Sequence, residues 1–232
     1  MGAHWDSDLP WDIPPLRADM LGTIPEEGLQ TWGGRDTPDD GRWWFYNWRT
    51  DSIRGLDWER TVLGFYTDDY RFESFYEKPD IETARLLNLG GRVALTPNYS
   101  MWYDQPRALH MWAMFRARWV GRYMQEAGIV VIPDLNWVDD RSFDFCLLGI
   151  PHNPPVAAVQ IQTMSKADEM QRAARGLALA VDKLRPDQLL VYGSTTADSV
   201  VEESGIACRV IRVENRTAVR RRLMDTSQGK RS

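Results

Sequence analysis

Read from its N-terminus, the chain shows no sustained hydrophobic period until about residue 61. Pro14-Pro15, Gly33-Gly34 and Asp39-Asp40-Gly41 break up the first 55 residues, which predicts an irregular arm with one short strand over 43–48. Beyond it, short apolar runs alternate with amphipathic ones. Val62 to Tyr66 predicts a strand that ends in the polar turn Thr67-Asp68-Asp69, 81–89 a short helix, and 93–96 a buried strand. The clearest helix lies over 106–127. Asp104 offers a capping carboxylate, Pro106 suits the first turn, and Gly128 stops the helix. Leu109, Trp112, Trp119, Val120 and Tyr123 fall on one face, which Arg116 interrupts, while Arg107, Arg118 and Arg122 cluster on another.

The apolar run 129–135 predicts a strand covered on both sides. Ser142 to Leu148 suits a helix better than a strand, and 156–161 is a further buried strand. Ser165 and Asp168 open a helix over 167–184 that turns Met170, Ala173, Ala174, Leu177, Val181 and Leu184 inward. A strand over 188–192, a helix over 196–203, a strand over 208–213 and a short helix over 218–223 follow.

Apolar strands alternating with helices pair in parallel, because the crossover helices must cover the faces of the sheet. The predicted fold class is therefore α/β, with about six strand–helix units in a mainly parallel sheet or an incomplete, barrel-like (βα) arrangement. The domain reading is a Trp-rich arm over 1–55 packed on an α/β domain over 56–224, with a frayed tail over 225–232.

Composition narrows the function classes. A net charge of −5 argues against a general polyanion binder and leaves room only for a local basic patch. Cys146 and Cys208 are far apart, and no CxxC or His pair has metal-ligand spacing, so no metal site is expected and a reducing compartment fits. No apolar run nears the roughly 18 residues of a membrane span, and no signal-peptide layout opens the chain. The expectation is a cytoplasmic protein without membrane contact. Five of the eleven Trp (Trp5, Trp11, Trp32, Trp43 and Trp44) lie in the arm, either as anchors to the domain or as an aromatic platform for a base or a partner.

In parallel α/β folds the loops leaving strand C-termini build the site. The polar residues at those exits are Asp68 and Asp69, Asn98 and Ser100, Asp134 and Asn136, Gln160 and Gln162, and Ser194 and Thr195. Asp134 follows an apolar strand and Pro133 and precedes Asn136-Trp137. A partly desolvated carboxyl there would have the raised pKa that acid–base work needs, although an Asp also caps turns. Arg116 would hold either a substrate phosphate or carboxylate or a structural acid, since a buried Arg must be paired. The run "YGSTT" over 192–196 has the layout of a simple anion site, or of ordinary helix caps. The candidates are thus Asp134 and Asp69 as catalytic groups, with Asn136, Trp137, Arg116, Gln160, Ser194 and Thr195 as substrate-binding ones. No Walker, GxGxxG, HExxH or GxSxG motif assigns a cofactor, which stays unknown.

The segments "DDYRFE" (68–73), "LTPNYSMWYDQP" (95–106), "FRARWVGRYMQEAGIVVIPDLNW" (115–137), "SFDFCLLGIP" (142–151) and "LRPDQLLVYG" (184–193) together resemble the uncharacterised family called domain of unknown function 4417. That family is found widely in phages and other bacterial mobile elements and brings no established activity. The resemblance implies a mobile-element protein. Joined to the exit rule, it yields an expected enzyme of nucleotide or nucleic-acid metabolism. The alternative is a non-catalytic protein that binds a host protein through an aromatic surface.

Overall fold

A computed structural model describes residues 5–25, 28–34, 41–162 and 166–221. In chain order the strands and helices are β1 (Gln30–Thr31), β2 (Trp44–Asn47), β3 (Thr61–Gly64), α1 (Ser74–Glu77), α2 (Pro79–Asn88), β4 (Val93–Leu95), α3 (Arg107–Glu126), β5 (Val130–Ile132), β6 (Asp134–Leu135), β7 (Val156–Ile161), α4 (Ala167–Leu184), β8 (Gln188–Gly193), α5 (Thr195–Ser204) and β9 (Arg209–Glu214). Residues 216–221 are helical.

All strand pairs are parallel, as the alternation of strands and helices predicts. Five strands form one sheet in the order β1-β2-β3-β4-β5, and four form a second in the order β6-β7-β8-β9. The sheets meet at two seams. At one, only Pro133 separates β5 from β6, so a single extended run pairs with β4 on one side and β7 on the other. At the other, the Thr31 hydroxyl of β1 donates to the Glu214 carbonyl of β9. Counting the 130–135 run once, the nine strands of the described residues occupy eight positions around a common interior. The arrangement is barrel-like.

The period of two along each strand sorts side chains between that interior and the helices. Ala158, Leu190, Tyr192, Ile211 and Val213 point inward to the cluster that holds Phe45 and Tyr66, whereas Ala157, Val159, Leu189 and Val191 pack under α4 and α5. Phe45, Tyr66 and Tyr192 meet inside with ring centroids 5.0–5.9 Å apart, so β2, the exit of β3 and β8 touch across the ring. Gly64 makes room for this packing, since a Cβ there would lie 2.3 Å from the Phe45 ring.

The stretch expected as an arm supplies β1 and β2, and its Trp residues mostly anchor it. Trp32 and Trp44 are buried edge to face, Trp32 Nε1 donates to the Ser52 carbonyl, and Trp5 packs on Trp119. Trp11 is half exposed.

Several local expectations need correction. The buried residues of α3 are His110, Ala113, Met114, Ala117, Arg118, Trp119, Val120, Gly121, Met124 and Gln125, so Trp119 and Val120 are inward as expected while Leu109 and Trp112 are exposed. Arg118, expected on a face shared with Arg107 and Arg122, is fully buried. Pro106 occupies the N-cap position of α3 and no side chain caps it, so Asp104 has no capping role. Residues 140–144 form a 3-10 helix, shorter than the helix expected over 142–148. Ser165 and residues 222–232 lie outside the described residues. Among the described residues no helix is long and apolar enough to cross a membrane.

Candidate functional site: an aromatic and carboxamide cleft over a buried carboxyl

The C-terminal ends of β3, β4, β6 and β7 open into a cleft of about 700 Å³. Its lining mixes aromatic rings (Tyr66, Trp102, Tyr103, Trp137) with side-chain amides (Asn98, Asn136, Gln160, Gln162). Polar and apolar groups share the lining almost equally, so a ligand that fits it must offer both a flat apolar face and hydrogen-bonding edges.

The loop over 98–105 is held from several sides. Asp69 accepts from the Ser100 backbone N–H and hydroxyl, and Asn136 Nδ2 donates to the Tyr99 carbonyl at 2.9 Å. The Trp102 N–H donates to Gln105 Oε1, and His110 Nε2 donates to the Trp102 carbonyl at 2.8 Å. This fixed frame nevertheless leaves Trp102 and Tyr103 62% and 79% exposed at the rim, with Tyr70 exposed on the neighbouring loop.

Beneath the cleft sits Asp134, which is only 2% exposed. Its backbone N–H donates to Thr96 Oγ1 at 2.8 Å, Tyr66 Oη donates to its Oδ1 at 2.6 Å, and Asn98 Nδ2 donates to its Oδ2 at 2.6 Å. Burial pushes its pKa up to about 7, against the opposing pull of those two hydrogen bonds and of the Arg118 charge. Burial and the neighbouring carboxyl together raise the Tyr66 phenol well above its ordinary value. The result is a buried carboxyl, its pKa pushed up to about 7, one hydrogen bond below two lining residues.

The predicted site residues divide accordingly. Asn136, Trp137, Gln160 and Gln162 line the cleft, together with Asp68 and Ser100. Asp134 lies under it. Asp69 braces the rim through Ser100. Arg116 is elsewhere: its Nη1 grips both oxygens of Glu73 at 2.7 and 2.8 Å, and its guanidinium lies 3.9 Å over the Tyr99 ring. It is a mostly buried structural pair and does not line the cleft. Ser194 and Thr195 stand at the start of α5, outside the cleft, and Ser194 makes no side-chain cap. Among the described residues no group of His, Cys, Asp and Glu is placed to hold a metal ion.

Sequence reasoning missed Tyr66, Trp102 and Tyr103. Tyr66 continues the inward parity of β3 past Gly64, a signal available once the strand is phased. The position of Trp137 is also set from below. A Cβ on Gly176 of α4 would lie 2.1 Å from Trp137 Nε1. Gly176→Ala is therefore expected to destabilise the fold by about 1–3 kcal/mol through overpacking. It should also displace Trp137, seen as a shifted indole N–H resonance; an unchanged resonance would contradict the packing.

The chain is 38% identical over 132 residues to a "Gene 1 protein" of Mycobacterium phage L5 and 39% identical over 132 residues to a "Gene 1 protein" of Mycobacterium phage D29. The match covers 57% of this chain, 57% of the L5 protein and 48% of the D29 protein, so the chain spans about half the length of these curated relatives. No solved structure matches. The family model for the "Domain of unknown function (DUF4417)" matches residues 44–209, which run from β2 to the first residue of β9 and hold every lining residue of the cleft; the chain belongs to this family.

Proposed function

We propose that the protein is a phage or mobile-element enzyme of nucleotide or nucleic-acid metabolism whose substrate places a heteroaromatic base in the cleft. One observation carries this reading: aromatic rings and carboxamides line the same cleft directly above the buried Asp134 carboxyl, which two lining residues hydrogen-bond and whose pKa burial pushes up to about 7. Aromatic faces stack on bases, carboxamides match the mixed donor and acceptor edges of a base, and a group with a near-neutral pKa suits proton transfer at working pH. Asp134 does not line the cleft, so it acts through Tyr66 and Asn98 rather than by touching the substrate.

The exposed trio Tyr70, Trp102 and Tyr103 favours a second reading, a non-catalytic protein that docks a host protein on this aromatic rim. Titration of the labelled protein with a panel of nucleosides and nucleotides separates the two. The enzyme reading expects saturable shifts of the Asn136 and Gln160 side-chain amide resonances. If no member of the panel moves them, the cleft is not a base site and the docking reading takes its place.

A further inference from the structure

Asp134 is held on three sides, and its partners fix what the cleft floor offers. A carboxylate only accepts hydrogen bonds, so the Asn98 amide must turn its nitrogen to Oδ2, as the 2.6 Å contact shows. Tyr66 spends its hydroxyl proton on Oδ1. Asn98 Oδ1 is left without a donor among the described residues, on a side chain that lines the cleft.

Resting on the base-binding reading above, we propose that Asn98 selects among bases and that Asp134 is its positioning residue. The ionised carboxyl holds the Asn98 nitrogen below the floor and leaves Oδ1 to accept from a ligand amino group. The preferred ligands are therefore aminated bases of the adenine or cytosine kind. Protonation on Oδ2 reverses the polarity. Asp134 then donates its O–H, Asn98 turns its amide so that Oδ1 accepts, and the NH₂ group faces the ligand. The groups that bear on Asp134 are Tyr66 at the exit of β3, Tyr192 of β8 stacked on Tyr66, Arg118 of α3, and Cys146 beside Arg118. The burial that raises the carboxyl's pKa brings this reversal within reach of mildly acidic solution.

The charge of the cleft specifies the probe. Its charged lining residues are Asp68, Glu169 and Arg172, and Arg172 is paired with Asp168 at 2.9 Å. Among the described residues the lining carries two acids, Asp68 and Glu169, against one base, Arg172, so unphosphorylated nucleosides test the base contacts without phosphate repulsion.

Calorimetry with adenosine against purine riboside, and cytidine against its 4-deamino analogue, isolates the amino group. Above neutral pH the aminated member of each pair should bind about tenfold tighter, the worth of one net hydrogen bond. The preference should fade on acidification, vanish in Asn98→Ala, and lose its pH dependence in Asp134→Asn. Two results overturn the inference alone while sparing the base site: binding that shifts the Asn136 and Gln160 resonances with no amino preference, or a preference that persists in Asn98→Ala. Failure of all four nucleosides to bind removes this inference, and the base-binding reading falls with it when the full nucleoside and nucleotide panel also leaves the Asn136 and Gln160 resonances unmoved.

Discussion

Arg118→Ala should lose on the order of 3–5 kcal/mol of stability, the largest effect of any single substitution considered for this protein. Arg118 is 0% exposed, on the face of α3 turned to the domain. Its Nε donates to the Leu148 carbonyl at 3.0 Å and its Nη2 to the Cys146 carbonyl at 2.9 Å. Removing the guanidinium strands two carbonyls of the segment after the 3-10 helix and leaves a cavity where a long side chain stood. Burial drives its pKa down to about 10 against the opposing influence of the Asp134 and Cys146 charges. Urea denaturation at neutral pH is the measurement. A loss under about 1 kcal/mol would mean that the carbonyls find other donors. The same substitution should raise the pKa of Asp134 further, because the Arg118 charge is one of the influences that hold it down.

Stability should also fall as pH rises from about 4 to about 7, the reverse of the usual acid lability. Asp134 has an ordinary value of 3.8 and a folded value of about 7. Between those values the folded chain binds a proton that the unfolded chain releases, so the stabilisation is complete below the lower value and lost through the upper one. If the whole interval is realised, the loss is roughly 4 kcal/mol. Asp134→Asn cannot ionise and should remove this component. The variant should therefore gain on the wild type as pH rises, and melt above it beyond neutrality. A stability difference between the two that does not change across this window would show that Asp134 is not the titrating group.

The order of β2 to β5 and of β7 to β9, with α2 to α5 between them, was legible because most of these strands carry apolar runs and the long helices are amphipathic. The two polar residues of β1, Gln30–Thr31, and the single turn of α1 leave no such pattern. The face of α3 was only partly legible, and the reason is physical. Large residues such as Trp112 dominate a hydrophobic pattern, but this helix approaches its strands through Ala113, Ala117 and Gly121. A Cβ on Gly121 would lie 2.7 Å from Thr96, so the contact depends on what is missing from the side chain. Arg118 is buried on that same close face. In the cleft, Asn136, Trp137, Gln160 and Gln162 follow from the rule that sites gather at strand exits. The union of Tyr66 and Asn98 on Asp134 does not, because it depends on β3, β4 and the 130–135 run lying side by side at one register. Nothing local in a chain announces a contact between residues 68 positions apart.

The Thr31–Glu214 seam has a consequence for synthesis. Its two residues stand 183 positions apart, so β1 leaves the ribosome long before the strand that completes its other side exists. During that interval the nascent chain presents β1 as a free margin, and the ring can shut only after residues 209–214 have emerged. The short, two-residue length of β1 keeps that waiting margin small.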